Sequence, residues 1–139
     1  MIRFATGVFF LLASFTAAAQ NGKADSAFVR ENYTKIERMI PMRDGEKLFT
    51  AIYVPKDEIQ KYPILMVRTP YSCQPYGEEN YPRTLSYNSA LVHEKYIFVE
   101  QDVRGRYMST GKFEEMTPHK PIKKSKTDTD ESRDRKSVV

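Results

Sequence analysis

The sequence predicts an α/β fold in which an antiparallel hairpin feeds a βαβ unit. Three observations carry that expectation. Residues 33–55 hold two apolar-alternating segments around Asp44-Gly45. Pro63 to Val67 and Tyr96 to Val99 are continuous apolar runs. Between those runs lies a segment with helical character, from Thr84 to Lys95.

Taken in order, Asp25 or Ser26 can cap a short helix through Glu31. Tyr33 to Met42 alternates loosely, with Ile36, Met39 and Ile40 as its apolar points, and reads as a strand. Arg43-Asp44-Gly45-Glu46 is a tight turn, because Asp-Gly supplies the left-handed φ that a hairpin needs. Lys47 to Val54 alternates better, through Leu48, Ala51 or Ile52, and Val54. Pro55 ends it, since proline cannot donate to a ladder. The two apolar runs lack alternation, which marks strands buried on both faces and paired in parallel. Leu85, Leu91 and Val92 give the intervening helix a rough apolar face.

Near the start stand Arg3, an uncharged run from Phe4 to Phe15, and Ala17-Ala18-Ala19. That order is that of a secretory signal peptide over residues 1–19, cleaved before Gln20. The alternative, a membrane anchor, is weaker: Thr6, Gly7, Ser14 and Thr16 dilute the run, and a spanning helix wants about 20 largely apolar residues. A periplasmic or extracellular location follows, with no stable membrane anchor after cleavage. Residues 20–32 form a leader, residues 33–119 the folded part, and residues 120–139 a polar tail expected to be disordered.

The 139 residues are 40% hydrophobic and 29% charged, with one Cys and no Trp, enough for one small domain. A single cysteine excludes an internal disulfide framework and a cysteine-based zinc site. Of the formal +4 charge, +3 sits in residues 120–139, where seven Lys/Arg face four Asp/Glu (7 − 4). The rest has no basic stripe, so nucleic acid is not an expected partner. No metal-ligand or phosphate-loop spacing occurs, and no cofactor is expected.

Three stretches stand in register: Ile40-Pro41-Met42-Arg43-Asp44-Gly45-Glu46-Lys47-Leu48, then Arg68-Thr69-Pro70-Tyr71, then the D-x-R-G-x-x-x-S-x-G-x-F run from Asp102 to Phe113. In this order and spacing they resemble the N-terminal part of the X-prolyl dipeptidyl-peptidase superfamily, in particular its α-amino acid ester hydrolase, glutaryl acylase and cocaine esterase branch. The resemblance covers roughly residues 28 to 131. It implies an incomplete α/β-hydrolase fold and a Ser-His-Asp triad that hydrolyses small ester, amide or X-Pro peptide substrates through an acyl-enzyme. It also implies that the nucleophile elbow lies beyond this chain: no G-x-S-x-G occurs, and neither His93 nor His119 matches the triad histidine. The triad's nucleophile, acid and histidine are thus all absent, and the chain is expected to be inactive alone. One functional residue carries over. The tyrosine that donates its hydroxyl to the oxyanion hole matches Tyr71. Where the α-amino ester branch places a carboxylate two residues later, this chain has Cys73, which argues against a preference for α-amino acyl groups. The alternative reading is a small secreted non-catalytic binding module descended from that family.

Other constellations read as structural. Asp102 and Arg104 are expected as a paired charge tying down the loop after the second apolar strand, with Gly105 and Gly111 making turns. Asp44 and Glu46 are expected to be solvated in the turn, and His119 to lie on a surface loop. A Cys73–His93 dyad lacks any reason for the two to meet.

Overall fold

A computed structural model describes residues 26–115, 119–122, 124, 125 and 128. The signal segment, the leader up to residue 25 and most of the polar tail lie outside the described residues.

Residues 26–32 form a helix, α1. β1 (Tyr33–Pro41) and β2 (Lys47–Pro55) pair antiparallel from Tyr33↔Pro55 to Pro41↔Lys47. Gly45 takes φ +95° in the connecting turn, the conformation for which Asp-Gly was read. The Met42 N–H donates to the Glu46 carbonyl at 2.7 Å and closes that turn. β3 (Ile64–Thr69) and β4 (Ile97–Asp102) pair in parallel, and α2 (Ser89–His93) lies between them in sequence. The sheet order is β1-β2-β4-β3, with β2 and β4 antiparallel. The result is an α/β chain with a mixed four-stranded sheet.

The two faces of the sheet are covered unequally. One carries Tyr33, Lys35, Phe49, Ala51, Tyr53, Phe98 and Asp102. Val29 of α1, Cys73 and Leu85 of the β3–α2 loop, and Val92 of α2 close over it to make the core. The other carries buried Leu48, Thr50, Val99 and Gln101 beside Ile36, Ile52, Val54, Met66 and Ile97, which are only half-buried. At the amino ends of β3 and β4 this second face opens into a hollow of about 760 Å³ lined by Ile36, Val54, Ile97, Asp57 and Tyr62. No helix among the described residues is long and apolar enough to cross a membrane.

Three expectations need correction. The apolar points of β1 are not its core residues: Tyr33 and Lys35 are buried, while Met39 on their face is exposed and Ile36 and Ile40 on the other are half-buried. The core is built on the Tyr33 phase because the long β3–α2 loop covers that face. β4 is buried on both faces, but β3 is not. It occupies the sheet edge, with Ile64 64% and Val67 58% exposed. Pro55 ends β2, as expected, and pairs with Tyr33 at the open end of the hairpin.

The helix expected from Thr84 is only Ser89–His93. Side chains upstream compete with the helical ladder. Thr84 Oγ1 donates to the Ser86 carbonyl at 2.8 Å, Ser86 Oγ accepts from Asn88 N–H at 3.1 Å, and Asn88 Oδ1 caps the helix by accepting from Ala90 N–H at 3.1 Å. Lys95 then ends it at φ +59°. Leu85 and Val92 nonetheless reach the core.

Candidate functional site

The carboxyl ends of parallel strands are where an α/β sheet opens onto a ligand. Here Thr69 of β3 and Asp102 of β4 are register partners at that end. Val103 N–H donates to the Thr69 carbonyl at 3.2 Å, so the two strands remain joined as their loops depart.

The loop after β3 carries Tyr71. Its backbone N–H donates to Thr69 Oγ1 at 3.0 Å, while the residue is 83% exposed. Ser72 follows at φ +93°, a left-handed conformation unfavourable for a residue with a Cβ. Cys73 turns back inward and is buried.

Asp102 receives this loop. The residue is fully buried. Its Oδ1 accepts the Cys73 N–H at 2.9 Å, and its Oδ2 accepts the Tyr76 hydroxyl at 2.9 Å and the Met108 N–H at 3.4 Å. Ser109 Oγ donates to the Asp102 carbonyl at 2.7 Å and accepts from Phe49 N–H at 2.9 Å. One residue therefore ties the β3 loop, the β4 loop and β2 together. Burial, together with the Asp102 carboxylate, pushes the Tyr76 hydroxyl up to about 12, so it stays a donor at neutral pH. The Tyr76 ring meets Phe49 edge-on at 5.0 Å.

The remaining loop residues are fixed by Lys35, which is buried on β1. Its ammonium donates to the carbonyls of Pro75, Gly77 at 2.9 Å and Asn80 at 3.0 Å, and pairs with Glu37 at 2.7 Å. Glu37 in turn accepts the Gly77 N–H at 2.7 Å. Nothing in the sequence reading pointed to Lys35. The only available signal was its alternation with Tyr33 on one phase of the strand.

The D-x-R-G-x-x-x-S-x-G run is a clamp for the β4 loop. Arg104 does not pair with Asp102, as expected above. It pairs with Asp44 of the hairpin turn at 2.9 Å, and Asp44 is therefore largely buried, not solvated. Glu46 is engaged as well, accepting from Thr110 Oγ1. Gly105, at φ +66°, lies so close to the returning chain that a Cβ there would sit 2.1 Å from Phe113 N.

Cys73 and His93 do not form a nucleophilic pair. The thiol is pushed up first by burial and then by its hydrogen bond to Asp102, which holds it protonated. The exposed His93 ring packs against Phe28, with centroids 4.2 Å apart. His119 is exposed, as expected. In the hollow at the opposite end of the strands, the Asp57 carboxyl is held below its ordinary value by hydrogen bonds from Lys95 and Tyr62 and is already engaged. Among the described residues no cluster of three His, Cys, Asp or Glu side chains could hold a metal ion.

Residues 44–139 match the family model for the X-Pro dipeptidyl-peptidase (S15) family. Among solved structures, the chain is similar to an aminopeptidase from the marine sediment archaeon Thaumarchaeota archaeon, with 39% identity and a TM-score of 0.62 over 77% of this chain. It is also similar to a selenomethionine-labelled α-amino acid ester hydrolase, with 40% identity and a TM-score of 0.49 over 59% of this chain. The chain spans 18% of the length of the first and 14% of the second. A search of curated proteins found no match.

Proposed function

The chain belongs to the X-Pro dipeptidyl-peptidase (S15) family, and from that membership we propose that it supplies the N-terminal part of an exported serine hydrolase's catalytic domain. The incomplete α/β-hydrolase fold is part of this proposal. The half-open sheet face and the small share of its relatives' length both favour it.

The observation that carries the reading is Tyr71. Its side chain is exposed at the carboxyl end of a parallel strand, on a loop whose backbone is anchored on both sides. A phenol so placed can donate to the carbonyl oxygen that becomes negative when a serine attacks an ester, amide or X-Pro bond. Loss of one such donor costs about 2.7–4 kcal/mol of transition-state stabilisation. The attacking serine and its acid and base partners have no counterpart in these 139 residues, so the chain contributes a donor and no nucleophile. Cys73 offers no charge to an α-amino group, because its neutral thiol is turned onto Asp102. Position 73 therefore gives no support to ammonium recognition, and the substrate class stays an ester, amide or X-Pro bond. Export follows from the signal-like residues 1–19.

The test uses p-nitrophenyl esters. Residues 20–139 alone should show no turnover above background. In the complete hydrolase, Tyr71→Phe should lower kcat by ~100- to 1,000-fold. Turnover by the short chain, or an unchanged kcat in Tyr71→Phe, sinks the reading.

A further inference from the structure

The geometry points to Asp102 as the positioning residue for Tyr71, a role that rests on the oxyanion reading of that tyrosine. The Tyr71 side chain is exposed and packs on little, so its place is set by its backbone. Two bonds hold that backbone: Tyr71 N–H to Thr69 Oγ1, and Cys73 N–H to Asp102 Oδ1. Between them Ser72 is kept left-handed, a conformation that persists only where its neighbours enforce it. Asp102 is the buried side of that enforcement.

The same carboxylate also reads the second loop. Oδ2 takes the Tyr76 hydroxyl and the Met108 N–H while Oδ1 takes the Cys73 N–H, so all three partners are donors. A carboxylate suits such a site because it only accepts. An asparagine there would keep an acceptor for one donor and aim its own N–H bonds at the others. The loop would then lose its fixed register although side-chain volume hardly changes. An oxyanion donor must lie within 2.7–3.1 Å of the developing charge, and misplacement by about 1 Å costs on the order of 100-fold in rate. Asp102 touches neither substrate nor reacting atoms in this account. It acts through Tyr71.

The experiment is a double-mutant cycle in the complete hydrolase. Asp102→Asn should lower kcat for a p-nitrophenyl ester by ~10- to 100-fold with KM little changed. The double variant Tyr71→Phe/Asp102→Asn should be no slower than Tyr71→Phe alone, because a misplaced hydroxyl and a missing one are equivalent. A merely structural role would give multiplicative losses in the double variant. That result, or an unchanged kcat in Asp102→Asn, overturns the positioning role while leaving the oxyanion reading intact if Tyr71→Phe is slow. An unchanged kcat in Tyr71→Phe overturns the oxyanion reading itself and the positioning role with it. Should Asp102→Asn fail to fold, Tyr76→Phe removes one donor from the same carboxylate and keeps the ring against Phe49; because it also takes a partner from the Ser72 hydroxyl, it is read against Ser72→Ala, which removes that hydroxyl and leaves the Asp102 bond. Tyr76→Phe should give a smaller kcat loss that again vanishes in the Tyr71→Phe background, and multiplicative losses there overturn the positioning role.

Discussion

Replacing Lys35 by Met is the sharpest perturbation of the scaffold under Tyr71. The substitution keeps an unbranched chain over the Tyr53 ring, whose centroid lies 5.8 Å from the ammonium, and deletes only the charged head. Three loop carbonyls, of Pro75, Gly77 and Asn80, lose their donor at once, and Glu37 loses its cation. The Lys35 side chain is fully buried and Glu37 is 17% exposed, so solvent screens little of the loss. Hydrogen bonds to a charged group contribute about 1.5–3 kcal/mol each, but they are not additive here, since all share one ammonium. Breaking one side of a buried pair costs about 3–5 kcal/mol, and we adopt that range. It is a large share of a typical total stability of about 5–15 kcal/mol.

The assay is urea unfolding of the complete hydrolase domain, followed by circular dichroism, with amide exchange read at Gly77 and Asn80. The midpoint should fall markedly, and exchange at both amides should accelerate more than in β2. Part of the loss belongs to the stranded Glu37 carboxylate. The double variant Lys35→Met/Glu37→Gln should therefore recover stability relative to the single variant. A loss under about 1 kcal/mol for Lys35→Met would mean that water replaces the ammonium freely, and that the buried staple is not what holds residues 75–80.

Four further outcomes follow from the same geometry. Burial raises the Glu100 carboxyl above its ordinary value of 4.5, with Asp102 adding to the rise and Lys35 opposing it. Its stabilising protonated form is therefore fully present below 4.5 and lost as pH rises through the folded value, so Glu100→Gln should flatten the fall in urea midpoint above pH 4.5. Gly105→Ala should cost more than about 2 kcal/mol, because the new Cβ meets backbone and not a movable side chain, and a normal urea midpoint would contradict the close approach. Cys73 should react with iodoacetamide in the folded protein only as fast as the loop opens, since its thiol is buried and held neutral; immediate alkylation at pH 7 would contradict its placement against Asp102. Residues 20–139 alone should bind a hydrophobic dye and melt without cooperativity in urea, whereas a dye-silent, cooperative, monomeric chain would favour a self-sufficient binding module.

The hairpin was legible because its information is local. Asp44-Gly45 sets the turn, and the register from Tyr33↔Pro55 onward follows from it. The parallel pair was legible as two apolar runs, although only β4 is buried as such a run implies. The helix length was not legible from periodicity. Leu85 and Val92 do reach the core, but Thr84, Ser86 and Asn88 spend their side chains on nearby backbone groups, and the helix begins only after them. The phase of β1 was hidden for a different reason. Lys35 is buried by carbonyls some forty residues away, and no window along the strand contains them. Tyr71 was singled out by the resemblance alone. Composition and spacing do not distinguish it from the other eight tyrosines.

The two faces of the sheet explain why a site can be readable in so short a chain. The face that carries Lys35 and Asp102 is closed by the chain's own loop, so the polar groups that shape residues 70–80 find their partners within 70 residues of sequence. Buried polar groups tolerate little freedom, because each missing partner leaves a desolvated atom. That loop's geometry is therefore specified inside this chain, by partners 26 to 45 residues apart, even though its chemistry is not. The opposite face has its own buried polar contacts, Gln101 to Thr50 and Arg68 to Gln101, but its half-buried Ile36, Ile52, Val54, Met66 and Ile97 demand only apolar cover. Polar satisfaction on the first face fixes the loop that carries Tyr71, whereas the half-buried apolar residues of the second fix no such geometry.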